Sequence, residues 1–182
     1  MGKFINFLHY AGKLKQIKRT GWVTQKIKQP ESVADHTYRV TLLAMLLAKE
    51  YGLDETKLMK MALIHDLAEG IVGDIVLYKG NKKISNEKDK FKKEQEAMKK
   101  IFLNLKEGKE FYSLWIEYER GVSLEAQFLK QLDKIEMIIQ ALEYEEENDP
   151  KNLNEFWINA KKHVKDKKLL ILFEKLEGKR KK

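Results

Sequence analysis

The spacing of the apolar residues constrains this chain more than anything else: they recur at steps of three and four, and almost nowhere at steps of two. That rhythm covers one face of an α-helix, whereas a strand needs strict alternation. Only two prolines and ten glycines interrupt the 182 residues, so the helices can run long. Phe4, Phe7, Leu8, Ala11, Leu14 and Ile17 form the first stripe. A loop over 19–30, closed by Pro30, leads to a second stripe of Val33, His36, Val40, Leu43 and Leu47, ended by Gly52. Asp54 is placed to cap a third helix whose inner face carries Leu58, Met61, Ala62 and His65, with Gly70 as its stop. Residues 78–90 are polar and predict an exposed, mobile connection.

Periodicity returns with Phe91, Met98, Ile101, Phe102 and Leu105, and a short helix from Phe111 to Tyr118 ends at Gly121. Ser123 caps a long helix bearing Phe128, Leu129, Leu132, Ile135, Ile139 and Leu142. Asp149-Pro150, a capping residue followed by proline, opens a helix with Leu153, Phe156, Trp157 and Ala160. A last helix runs from Leu169 to Leu176. The expectation is an all-α fold, a single helical bundle over 1–182 without internal repeats.

Composition narrows the function. With 43% hydrophobic residues one core can be filled. The absence of cysteine excludes disulfides, zinc ribbons and a thiol nucleophile, and suits a cytoplasmic protein. The N-terminus shows no signal-peptide pattern, and the longest largely apolar stretch, Val40 to Ala48, falls far short of the ~20 residues that span a bilayer. A net charge of +8 invites a nucleic-acid reading, but the lysines are interleaved with Glu and Asp. The one compact cationic block, Lys179-Arg180-Lys181-Lys182, reads as a solvated tail. Glycine-rich phosphate loops, nucleotide-fold fingerprints and a Ser-His-Asp order are all missing.

His36 and His65 lie on the apolar stripes of their helices and so point inward. Either alone reads as a buried, hydrogen-bonded histidine. Asp66 changes the weighing, because a carboxylate beside an inward histidine is costly to bury unless it is paired or binds a cation. Glu69 follows four residues after His65 and three after Asp66, on the same side, and Asp74 follows the Gly73 turn. Asp133 sits at the apolar border of the long helix, where alone it would read as solvated. Together His36, His65-Asp66 and Asp133 offer two imidazoles and two carboxylates from three helices. That set suits a borderline divalent ion such as Mn, Co, Fe, Ni or Zn, with room left for water and a substrate oxygen. His9 and His163 read as surface residues, and Glu143, Glu145, Glu146 and Glu147 as a solvated helix end.

In this order the residues resemble the HD-domain phosphohydrolases, and the surrounding blocks are similar to their 5′-deoxynucleotidase branch. The blocks are Leu14 to Trp22 (LKQIKRTGW), Glu31 to Arg39 (ESVADHTYR), Ala62 to Ile75 (ALIHDLAEGIVGDI), Lys93 to Met98 (KEQEAM) and Trp115 to Glu145. The resemblance implies one HD domain with its motif-bearing core at about 14–145; beyond Glu145 there is no family signal, and the C-terminal helices over 150–177 and the basic tail over 178–182 are read from periodicity and charge.

It further implies that His36, His65, Asp66 and Asp133 ligate the metal (Mn, Co, Mg, Ni, Fe or Zn), that Glu69 activates water, and that Asp74 assists the leaving oxygen. Glu69, Asp74 and the carbonyl of Ile75 are candidates for a second cation. Arg19 is matched to phosphate binding and Trp22 to the sugar, where its bulk would disfavour a 2′-hydroxyl. The implied activity is hydrolysis of deoxynucleoside 5′-monophosphates by a homodimer. Alternatives are a triphosphohydrolase, a cyclic-nucleotide phosphodiesterase, a pyrophosphatase or a non-catalytic nucleic-acid binder. Two departures bear on specificity: Thr20-Gly21 separates Arg19 from Trp22, and no proline follows Asp74-Ile75.

Overall fold

The computed structural model describes residues 2–79, 82–103 and 105–180. Ten α-helices appear among them: α1 (Gly2–Lys13), α2 (Thr20–Thr24), α3 (Val33–Leu47), α4 (Glu55–Ile64), α5 (Glu69–Val72), α6 (Glu87–Phe102), α7 (Gly108–Arg120), α8 (Leu124–Tyr144), α9 (Asn154–His163) and α10 (Lys167–Glu177). The fold is all-α. The one departure is a two-residue antiparallel ribbon, β1 (Tyr78–Lys79) with β2 (Lys82–Lys83), inside the segment expected as a plain connection; Gly80 and Asn81 lie outside the described residues. That connection is also shorter than expected, because the Asn86 side chain accepts from the Lys88 N–H and starts α6 at Glu87.

The helix ends follow capping chemistry. Ser32 and Asp35 form a reciprocal capping box on α3, and Asp54, Ser123 and Asp166 cap α4, α8 and α10. Gly52 and Gly121 take the left-handed conformation that ends a helix, at φ 65° and 59°. Asp149-Pro150 opens a 3₁₀ turn, Pro150–Leu153, that runs straight into α9.

Two expected helices are shorter. α1 stops at Lys13, since Ile17 accepts the Val33 N–H and Lys18 bridges to Ser32, pairings a helix would forbid. α4 stops at Ile64, and 65–68 continue as tight turns with i→i+3 bonds from Leu67 to Ile64 and from Glu69 to Asp66. His65 and Asp66 therefore sit on a turn between two helices rather than within one.

Helix α8 is the centre of the bundle. α3, α4, α7, α9 and α10 all pack on it, and α5 and α6 close the other end with α1. The core has two parts. One gathers Val40, Met61, Leu129, Leu132, Trp157 and Phe173, the other Val33, Ile64, Leu67, Met98 and Trp115. His36 falls between Val33 and Val40, and His65 between Met61 and Leu67, so both belong to the seam between the two apolar masses.

The C-terminal end is less solvated than its charge suggested. Glu145 is buried, accepting from the Trp157 indole at 2.9 Å and from Arg180 Nε at 2.9 Å. Arg180 lies over the Trp157 ring and also donates to the Pro150 carbonyl. A buried indole N–H needs an acceptor, and the carboxylate that serves it needs a cation. Lys181 and Lys182 of the expected tail lie outside the described residues.

Candidate metal centre

The capped start of α3 fixes the direction of His36, which emerges one turn in and is fully buried. His65, also buried, is oriented by its own turn: Nδ1 lies 2.7 Å from the Ala62 carbonyl oxygen. A carbonyl only accepts, so Nδ1 carries the proton and Nε2 offers a lone pair. That Nε2 stands 3.2 Å from Asp66 Oδ2, and the same oxygen is 3.8 Å from His36 Nε2. Ligand atoms of His36, His65 and Asp66 all lie within 4.8 Å of one another. Asp133 on α8 falls outside that three-residue group and joins it through His36, with Oδ1 3.0 Å from His36 Nε2 and its other oxygen 2.8 Å from Lys134 Nζ.

Neither imidazole Nε2 has a hydrogen-bond partner among the described residues, although both are buried. Such orphans are costly unless something else binds them. Two lone-pair nitrogens facing two carboxylates fit a divalent cation of the borderline class.

The electrostatics agree. Burial alone would raise the Asp66 carboxyl, but His65, Arg19 and His36 hold it far below the usual carboxylate range. Burial likewise opposes ionisation of Asp133, and Lys134, His36 and Arg19 prevail. Burial and Arg19 disfavour a charge on His36, yet Glu136 and Asp133 lift it to about 10. Without an ion, that shift puts a proton on Nε2 as well, facing Asp133 at 3.0 Å; a metal ion would bind there by displacing that proton.

Around this centre stand the other expected residues. Glu69 opens α5, is 2% exposed, and leaves Oε2 without a partner. Burial, Asp66 and Asp74 push its carboxyl well above the ordinary value. Asp74 accepts the Thr20 N–H at Oδ2, and its carbonyl accepts the Thr20 hydroxyl at 2.8 Å, clamping the start of α2 to the centre. Ile75 follows in the same half-buried loop. Arg19, the residue just before α2, reaches in, donating to Asp66 Oδ2 at 3.1 Å with its other terminal nitrogen 3.9 Å from Asp133.

Trp22 departs from its expected place. Its ring is 2% exposed, packed on Phe156 at 4.2 Å and Tyr144 at 5.3 Å, and its indole N–H donates to Glu31 at 2.8 Å. The two residues Thr20-Gly21 set it on the inner side of α2, where core burial claims the ring. A side chain so enclosed offers a sugar almost no surface.

Sequence reasoning missed Glu31, Glu136 and Lys90. Glu31 and Glu136 are buried behind His36. The available signal was position: Glu136 follows Asp133 by three residues and falls within the apolar stripe. Lys90, in the first turn of α6, lies 3.5 Å from Glu94, and Asp66, Glu69 and Asp74 add to its positive charge preference.

Comparison with known proteins is consistent with this geometry. The sequence profile of the HD domain matches residues 11–176. The chain is 42% identical to the zebrafish 5′-deoxynucleotidase HDDC2 over 183 residues, 99% of this chain and 89% of that protein. It is 42% identical to the human protein of the same name, over 97% of this chain and 85% of the other. A crystal structure of a protein from Pyrococcus horikoshii superposes with a TM-score of 0.79 at 35% identity, covering 97% of this chain and 99% of that one.

Proposed function

This chain belongs to the HD-domain family, and from that premise we propose that it is a metal-dependent 5′-deoxynucleotidase, releasing phosphate and a nucleoside from deoxynucleoside 5′-monophosphates. One observation carries the reading: two buried, unpartnered imidazole Nε2 atoms converge on the carboxylates of Asp66 and Asp133. These four residues would hold the ion, one of Mn, Co, Mg, Ni, Fe or Zn. When bound, a divalent cation supplies Lewis acidity, acidifying water and offsetting charge on a phosphoryl group.

The remaining steps belong to the chain's own side chains. Glu69, with its bare Oε2 beside the centre, orients the attacking water and takes up its proton there. Arg19 presents a guanidinium to the phosphate, exchanging its contacts with Asp66 and Asp133 for phosphoryl oxygens as charge builds up. Asp74, held against Thr20, stands to assist the leaving 5′-oxygen. The same pair, Glu69 and Asp74, with the Ile75 carbonyl, is also the candidate set for a second cation. Trp22 supports α2 from within the core.

We assign residues 1–182 to one domain, which the profile match over 11–176 supports. We further propose that the protein works in the cytoplasm, as its lack of cysteine suggests, and as a homodimer. Exposed Phe4, Ile5 and Leu8 on α1 offer an apolar face for the second copy. Among the described residues no helix is long and apolar enough to cross a membrane.

The deciding experiment is phosphate release from dAMP, AMP, dATP and cyclic AMP, before and after chelation, with add-back of Mn, Co, Mg, Ni, Fe and Zn. Release from dAMP that vanishes on chelation and returns with one of these ions is the expected result. Turnover indifferent to chelator overturns the metal role, and preference for dATP or cyclic AMP overturns the substrate.

A further inference from the structure

We infer that Glu136, braced by Glu31 and Trp22, is a positioning residue that sets His36 for the metal ion. Glu136 is fully buried on α8, one turn beyond Asp133, so the helix that supplies one ligand also aims another. Its Oε2 lies 2.5 Å from His36 Nδ1. The carboxylate oxygen is the acceptor of this bond, so His36 donates from Nδ1 and turns Nε2, the atom left for a metal ion, toward Asp133 and Asp66.

Behind that bond is a second buried layer. Ligand atoms of Glu31, His36 and Glu136 lie within 4.8 Å of one another, and all three residues are buried. Glu31 is tied at both ends: its backbone N–H donates to the Tyr144 hydroxyl at 2.7 Å, and its Oε1 accepts the Trp22 indole N–H at 2.8 Å. Arg39 approaches Glu136 Oε1 at 3.5 Å while Gln140 and Glu143, farther along α8, pin its guanidinium.

Two neighbouring carboxylates are an expensive way to fill a core that apolar side chains would stabilise better. Their arrangement makes sense as support for one imidazole. The two histidines are braced unequally: His65 rests on a neutral peptide carbonyl, His36 on a carboxylate, and the carboxylate makes the stronger donor of its partner. Trp22 then influences the centre through Glu31, by a hydrogen bond, without touching a substrate.

This inference rests on the metal-site reading above, and its test needs no nucleotide and no turnover. Mn(II) is titrated into the chelated full-length chain by calorimetry, and Co(II) is followed by its visible d–d bands, with melting curves as a check on folding. His36→Ala should abolish tight binding. Glu136→Gln, nearly isosteric, should weaken Mn(II) binding about 10–100-fold and shift the Co(II) bands. Trp22→Phe should weaken it in the same direction by at most about fivefold, one ordinary hydrogen bond's effect. Glu110→Gln, an exposed control on α7 paired with Lys60, should bind as the parent does.

If His36→Ala loses the ion while Glu136→Gln binds within about twofold of the parent and with unchanged bands, the positioning role is overturned and the metal site stands. If His36→Ala binds like the parent, the ligand assignment itself falls. Should Glu136→Gln fail to fold, Glu31→Gln carries the test: weakened binding supports the brace, and parent-like affinity removes it.

Discussion

Replacing Glu94 by Gln should make the stability of the chelated protein much less sensitive to pH. Glu94 lies on α6 with its side chain only 8% exposed, 3.5 Å from Lys90. Burial raises its carboxyl, Lys90 opposes, Glu119 and Asp66 add to the rise, and the outcome is about 7 against an ordinary 4.5. An acid whose pKa is higher in the folded than in the unfolded chain favours folding while protonated. Its contribution is complete below pH 4.5 and is lost as the pH climbs through 7. At about 1.4 kcal/mol per pH unit, the parent forfeits about 3 kcal/mol between pH 4 and pH 8 from this one group.

The glutamine cannot ionise, so its chain skips that loss. It also lacks the ion pair that ionised Glu94 makes with Lys90, but that attraction already enters the value of about 7 and adds no separate loss. Urea unfolding of both proteins at pH 4, 6 and 8, in the presence of chelator, reads the difference directly. The gap between variant and parent should move by about 3 kcal/mol in the variant's favour across that range. In thermal melts the same change appears as about 6–12 °C for a chain of this size. Parallel stability curves, with a gap constant to within about 0.5 kcal/mol, would show that Glu94 ionises as an ordinary surface acid and that the electrostatic picture of this side of the centre is wrong.

Asp66→Ala should lose bound metal and phosphate release together; metal analysis showing a full complement of ion in an inactive variant would separate the two. Glu69→Gln should retain the ion and lower kcat by about 10²–10⁴-fold, and undiminished turnover removes Glu69 from the mechanism. Trp22→Phe should leave the ratio of kcat/KM for dAMP and AMP unchanged, since the ring is enclosed; a relaxed ratio would return the ring to the sugar. Gly70→Ala would bring a Cβ within 2.8 Å of the Tyr10 carbonyl oxygen, forcing α1 off α5, at a cost of about 1–3 kcal/mol in urea unfolding. Unaltered stability would mean that α1 shifts freely.

The helices were legible because local chemistry sets them. Ser123, Asp54 and Gly121 mark their boundaries with side chains and backbone preferences that act over three or four residues. Where tertiary pairing intervened, the reading overran. Ile17 continues an apolar rhythm perfectly well, but its carbonyl is claimed by Val33 from a different element. Asp149-Pro150 shows the milder form of the same limit, since a cap and a proline predict a start without distinguishing a 3₁₀ turn from an α-turn.

The centre divides in the same way. Histidine in an apolar stripe is conspicuous, and an aspartate beside it more so, because burial makes both costly; His36, His65 and Asp66 stand out by type and position, whereas Asp133 reads as solvated by itself and joins them only through the ordered pattern. Glu136 carries only the fainter mark of its place in the apolar stripe of α8, three residues after Asp133. A glutamate on a helix reads as solvated until its acceptor duty is known, and the imidazole it serves lies 100 residues earlier in the chain. Trp22 shows the converse. By itself it reads as a packed aromatic and only the family resemblance suggests a ligand-facing ring; the direction of α2 turns the ring into the core and leaves its indole N–H needing an acceptor, which Glu31 supplies. What holds the ligands is a set of pairings between distant helices, each member ordinary by itself. It becomes visible only when the fold brings two carboxylates behind one histidine, and the weakening of metal binding by Glu136→Gln measures how much that hidden layer contributes.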